Sequence, residues 1–192
     1  MPLPLSSLSR VCRSVADFVG TELEASTHSV RVLLGSPAEA AKDAETEHRV
    51  NLFFYLVEPS GFTFGLDPGE SWLLRLHCLI TPFGAAESPV SAGENDLRLL
   101  GEILRVFHEK PVLPALDLGG GTAVRMEAVF EPLSLDHINH LWATQGDVPY
   151  RPSVGYEMTL FPVIPKTPRV EAPAVQSVDL SVDAATLAGR VG

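Results

Sequence analysis

Lysine is almost missing from this chain of 192 residues: Lys42, Lys110 and Lys166 are the only three, and arginine supplies the remaining bases. Fourteen bases stand against 24 acids, for a net charge of −10. Nowhere do lysine and arginine cluster, so the basic stripe that displaces counterions from phosphates has no candidate and no nucleic-acid partner is expected. An acidic surface favours solubility or a basic protein partner. Long apolar runs are missing as well. No stretch reaches the roughly 18 apolar residues that would span a bilayer. The start, MPLPLSSLSR, lacks the basic region and apolar centre of a signal peptide. The expectation is a cytoplasmic protein without membrane contact. Cysteine is scarce: Cys12 and Cys78 each sit inside an apolar pattern and read as small buried hydrophobes. Neither a disulfide framework nor a thiolate metal site is indicated.

The short motifs of catalysis are also absent or incomplete. There is no Gly-x-Ser-x-Gly elbow for a hydrolase. The run Gly119-Gly120-Gly121 leads into a strand rather than a helix, and no Gly-Lys-Ser/Thr follows, so it reads as a turn and not as a phosphate cradle. Glu127, Glu131 and Glu157 fall on strands, where an outward glutamate is ordinarily solvated. His137 and His140 lie three apart and would share one helical face, the spacing that raises the question of zinc. HINH carries no glutamate base, however, and the sequence offers no clear third ligand. The two histidines are therefore expected to be exposed or capping, with a small zinc-dependent hydrolase using them as the alternative. No cofactor is implied.

What is present is a pattern of alternating elements. Leu8, Val11, Val15, Phe18, Val19 and Leu23 recur at helical spacing, with Ser6 or Ser7 placed to cap the start. HSVRVLLG alternates at Val30, Val32 and Leu34, a short strand. Residues 38–48 are polar and without a stripe, a loop or marginal helix. VNLFFYLVE, residues 50–58, is apolar on both alternating sets and so belongs inside a covered sheet. WLLRLHCLI places Leu74, Leu76, Cys78 and Ile80 on one face, and Arg75 and His77 on a face expected to be partly open. In DLRLLGEILRVFHEK the steps Leu97, Leu100, Leu104 and Phe107 predict a helix, capped by Asn95 or Asp96 and ended by Pro111. GGGTAVRMEAVF gives a strand, and SLDHINHLW a helix capped by Ser134 with Asp136 in its first turn. Leu133 and Ile138 fit a hydrophobic staple around that cap. Trp142 and Phe107 sit on helical stripes and are expected in the core. Pro149 and Pro152 force the entry to a last strand, SVGYEMTLFPVI, to be extended. Tyr150 is expected to pack on the sheet, and Arg151 to hold an acid or a loop carbonyl.

The order predicts one α+β domain over residues 1–164, a mainly antiparallel or mixed sheet flanked by about three helices, followed by a Pro/Val-rich arm over 165–192. In VQSVDLSVD, Val178, Leu180 and Val182 make an apolar edge, which suggests a strand added to another subunit's sheet. The long loops at 59–71 and 82–95 are further contact candidates.

Four segments, taken in order, resemble a known family: VNLFFYLVEP, LRLHCLITPFG, LLGEILRVFHEKPVL and EPLSLDHINHLWATQGDVPYRPSVGYEM. They are similar to the N-terminal domain of cap, or tail-terminator, proteins in contractile injection systems, the phage-tail-like particles of the antifeeding-prophage and virulence-cassette type. The resemblance runs from about Val30 to Ile164. Departures are Phe83 for the usual Tyr in the TP-Y-G motif, Pro152 after PYR, and Glu109-Lys110 before PVL. The resemblance implies a tail-terminator-like fold and a structural role without catalytic groups. It also implies a six-fold ring of identical copies closing tube and sheath at the end distal to the baseplate. The implied partners are further copies of the chain and the tube and sheath proteins. Tyr150, Arg151, Val178, Leu180 and Val182 are the expected interface residues.

Overall fold

Two apolar helical stripes and a set of alternating strands can hide their apolar atoms only by packing helices onto a sheet face, and the chain does so. The computed structural model describes residues 6–26, 30–42, 47–61, 72–117 and 123–163. Its elements are α1 (Ser7–Ser26), β1 (Arg31–Leu34), α2 (Pro37–Ala40), β2 (Arg49–Pro59), β3 (Trp72–Phe83), α3 (Ala92–Glu109), β4 (Leu116–Asp117), β5 (Ala123–Val124), β6 (Glu127–Glu131), α4 (Leu135–Ala143) and β7 (Val154–Val163). Five strands form one sheet in the order β1-β2-β3-β7-β6. β1 runs parallel to β2 and every other pairing is antiparallel, so the sheet is mixed. β4 and β5 pair separately, and Gly119–Gly121 lies between them, outside the described residues.

One sheet face, carrying Val50, Leu52, Leu76, Cys78, Ile80, Tyr156 and Met158, packs against the stripes of α1 and α3. Val11, Val15, Val19 and Leu23 are buried there as their spacing predicted, and Ser6 caps α1 by accepting from the Ser9 amide at 3.2 Å. Cys78 is fully buried and Cys12 packs at the rim of the same core. The opposite face meets α2 and α4. Phe83 is fully buried against Ala40 of α2, and the His137 ring of α4 stands edge-on to Tyr55 at 5.5 Å. A register shift between Phe54 and Leu56 inserts Tyr55 as an extra residue and brings its ring over His77. α4 starts at Ser134, whose hydroxyl accepts from the His137 amide at 3.2 Å, and the chain turns after it at Gly146, where φ is +68°.

Several expectations fail, each for a local reason. Ser91 caps α3, not Asn95 or Asp96, because Ser91 has the extended backbone of a cap and its hydroxyl accepts from the Glu94 amide at 3.1 Å. Asn95 and Asp96 are instead buried one turn inside the helix. The core stripe of α3 is Leu99, Ile103, Val106 and Phe107, whereas Leu97 and Leu104 point outward and Leu100 is half-buried. His77 is buried rather than on an open face, because Tyr55 and Glu131 close over it. β2 is covered along Arg49–Leu52 only, and Leu56 and Val57 at its far end are exposed.

Candidate assembly surfaces

Three of the sequence segments singled out above meet at one buried joint. Arg151, at the entry to β7, places Nη1 2.8 Å from both carboxylate oxygens of Asp96 on α3. Asp96 Oδ1 also accepts from the Gly84 amide at 2.6 Å, just beyond β3. The guanidinium lies 5.0 Å from the centre of the buried Phe83 ring, within cation–π range. Ser153 Oγ is 2.9 Å from Thr81 Oγ1, and Asn95 Nδ2 donates to the Ala85 carbonyl at 2.8 Å. A Cβ on Gly84 would come within 2.8 Å of the Ala92 carbonyl and the Asp96 amide, so only glycine lets the β3 exit approach α3 this closely. The joint ties TPFG, the start of α3 and PYRPS into one rigid unit. Arg151 thus does hold an acid, and its charge is committed inside the molecule.

Tyr150, one residue earlier, behaves differently. It does not pack on the sheet: its ring stands edge-on to Trp142 of α4 at 5.4 Å and remains 57 % exposed. Trp142 itself is buried, as is Phe107. Tyr150 is therefore a fixed aromatic surface with one side free.

The face under α4 carries a chain of charges. Glu58 pairs with Arg75 at 2.7 Å and Glu157 approaches Arg75 at 3.7 Å. His77 Nδ1 lies 2.9 Å from Glu131 and its Nε2 lies 3.3 Å from Glu58, while the Tyr55 hydroxyl donates to Glu131 at 3.2 Å. Burial alone disfavours the charged ring of His77, yet its hydrogen bonds to Glu131 and Glu58 and their charges outweigh this and raise its pKa. Burial first, and Glu131 second, push the Tyr55 phenol up. Glu131 is thus a structural partner rather than a merely solvated side chain. His137 turns toward Tyr55, and His140 is exposed on the last turn of α4. Among the described residues no group of three His, Cys, Asp or Glu side chains is arranged to hold a metal. Among the same residues no helix is long and apolar enough to cross a membrane.

Besides Leu97, Leu135 and Tyr150, the exposed large apolar residues among those described gather in two places. Leu56, Val57, Trp72 and Leu73 are exposed at the end of the β2–β3 pair where the two strands connect. Val129 and Phe130 are exposed on β6, the edge strand, next to Leu104 of α3 and Val112. Leu104 was expected on the apolar stripe of α3 and none of the others was expected at a surface, although EAVFE held a clue: neighbours on a strand face opposite ways, so adjacent Val129 and Phe130 need cover on both faces. Of the loop contacts expected, 82–95 is divided, with Pro82–Ala85 buried and 86–89 exposed, and residues 62–71 lie outside the described set. Val178, Leu180 and Val182 also lie outside it.

The family described as the Pvc16 N-terminal domain matches residues 10–177. The chain belongs to that family. Two solved structures share the fold of this Pvc16 N-terminal domain. One is a sheath/tube terminator of an extracellular contractile injection system, PVC, in its extended state. It has 16 % identity and a TM-score of 0.56, covering 95 % of this chain and 66 % of that one. The other is the tube-terminating cap of the anti-feeding prophage, with 18 % identity and a TM-score of 0.57, covering 88 % of this chain and 60 % of that one. The chain therefore spans less than two-thirds of the length of either. No curated protein matches it. The Pvc16 N-terminal domain here has the α+β architecture and mixed sheet that the motifs implied, and the four motif segments that carried the resemblance lie on β2, β3, α3 and the α4–β7 unit.

Proposed function

We propose that this chain is a structural terminator of a contractile injection particle, assembling as a ring of identical copies, six in number, that closes the inner tube and sheath at the end distal to the baseplate. Membership of the Pvc16 N-terminal domain family over residues 10–177 carries this reading. The surface chemistry supports it. A terminator works through broad contacts, with apolar anchors inside polar rims, rather than through a tuned cleft. The exposed residues Tyr150, Phe130 and Trp72 are of the aromatic type that anchors such contacts. Arg151 acts from within, holding the Tyr150 segment to α3 through Asp96. In this reading residues 1–164 are the body and 165–192 an arm, and the chain has no reaction of its own. Its partners are further copies and the tube and sheath proteins, and its working place is the assembled particle.

Assembly in cells that lack the chain, followed by electron microscopy, tests the proposal. Tubes of uncontrolled length with open ends are expected, with normal particles restored by the intact chain. Particles of normal length and closed tip would overturn it, as would a defect confined to the baseplate end.

A further inference from the structure

The β6 edge is only half used. The Ala128 amide donates outward to the Pro111 carbonyl at 2.8 Å, and the Leu113 amide donates to the Met126 carbonyl at 2.8 Å. Ala128 and Phe130 therefore turn their backbone polar groups away from β7, and Glu127, Val129 and Glu131 turn theirs toward it. The ladder then stops. Pro111 has no N–H to return to the Ala128 carbonyl, and the chain before it is already helix α3. The Ala128 carbonyl and both backbone groups of Phe130 face outward, and among the described residues no backbone bond reaches this outer edge beyond Ala128. Beside them runs a groove of about 560 Å³, lined by Leu104, Phe107, His108, Pro111, Val129 and Phe130. Unpaired strand edge and apolar groove together are what a β-strand with one apolar face requires.

We propose that residues 176–182 of one copy, QSVDLSV, add a strand to this open half of β6 on the next copy. The inference rests on the ring reading above. The segment alternates as the groove demands: Val178, Leu180 and Val182 on one side, Ser177, Asp179 and Ser181 on the other. Leu180 set opposite Phe130 puts all three apolar side chains on the α3 side of the sheet, where Leu104 and His108 stand. The segment follows the last described strand, and 29 residues lie beyond Val163. Over residues 165–192, Lys166, Arg169 and Arg190 balance Glu171, Asp179 and Asp183, so the arm brings no net charge to a chain carrying −10. Pro165, Pro168 and Pro173 punctuate the connecting stretch, a composition that favours extended backbone of ~3 Å per residue, or about 30 Å over ten residues. β7 sets Tyr156 opposite Phe130 and then runs on to Val163, seven residues or about 23 Å past the open edge and away from it. A connector that continues in that direction carries the arm away from its own β6 edge and toward a neighbour. Such donation is head-to-tail, and it closes into a ring when the rotation between copies allows.

The experiment mixes two full-length chains, one with V129C and one with S181C, and joins them with a short bismaleimide. Cys12 and Cys78 are kept, because burial pushes the Cys12 thiol up to about 11 and the Cys78 thiol well above its ordinary value. A product of twice the chain mass, formed only in the mixture and lost when either L180P or F130K is added, is expected. No cross-link in the mixture overturns the exchange, as does a V129C/S181C double variant that cross-links only at the mass of one chain. Normal capping of particles by the L180P chain also overturns it while leaving the terminator reading intact.

Discussion

Asp96 joins three segments: its own helix α3, the exit of β3 at Gly84 and the entry to β7 at Arg151. It is 4 % exposed, and its charge is met by Arg151 and the Gly84 amide. Removing Asp96 leaves the buried Gly84 amide without an acceptor and the Arg151 guanidinium, 25 % exposed, without its acid, at a cost of about 2–4 kcal/mol, above what a surface pair returns. Asp96→Ala should therefore lower the unfolding free energy by an amount in that range. Urea denaturation measures it, and a change within the ordinary scatter of surface substitutions would refute the joint. His77 gives a pH signature instead. Its folded pKa is raised above the ordinary histidine value. The charged ring therefore adds stability that is fully present below the unfolded pKa and is lost as pH rises through the folded one. The destabilisation caused by His77→Gln should be larger at pH 6 than at pH 9, read from denaturation curves of both proteins at each pH. A gap that widens with pH would contradict the Glu131–His77–Glu58 contact. Neither role is visible in the sequence, where Asp96 looks like a helix cap and His77 like an outward strand residue. Each acquires one decisive partner, Arg151 for Asp96 and Glu131 for His77, from an element more than fifty residues away along the chain.

At the scale of the element, α3 shows how far periodicity carries. At 100° per residue, Leu97, Leu104, Leu100, Phe107, Ile103, Leu99 and Val106 cover about half of the helix circumference. A helix that is apolar across half its surface offers two stripes, and spacing alone does not say which one the sheet covers. The covered one is Leu99, Ile103, Val106 and Phe107. Ile103→Ala should cost roughly 2–5 kcal/mol through lost burial and the cavity left behind, whereas Leu97→Ala should stay within about 0.5 kcal/mol in the isolated chain. Thermal or chemical unfolding of the two variants checks the assignment, and equal losses would reject it. Caps were legible where the local chemistry was unambiguous, as at Ser134. At α3 both Ser91-x-x-Glu94 and the polar pair Asn95-Asp96 next to the first apolar residues are cap signals, and only the backbone at Ser91 adopts the cap geometry.

For the whole molecule, composition and pattern bounded much of the outcome. The alternation in β2, β3 and β7 and the helical stripe of α1 determined an α+β body with one main core, because these follow from local geometry and the cost of exposing apolar atoms. The ordered motifs determined the family. What only the tertiary structure decided was pairing and cover. It set which strand became the edge, which face of α3 met the sheet, where Arg151 found its acid, and that Tyr150 rests on Trp142 with its other side free. Sequence fixes the direction in which each side chain leaves its own strand or helix. Whether another part of the chain then covers it depends on contacts between residues far apart in sequence, and no local pattern encodes those.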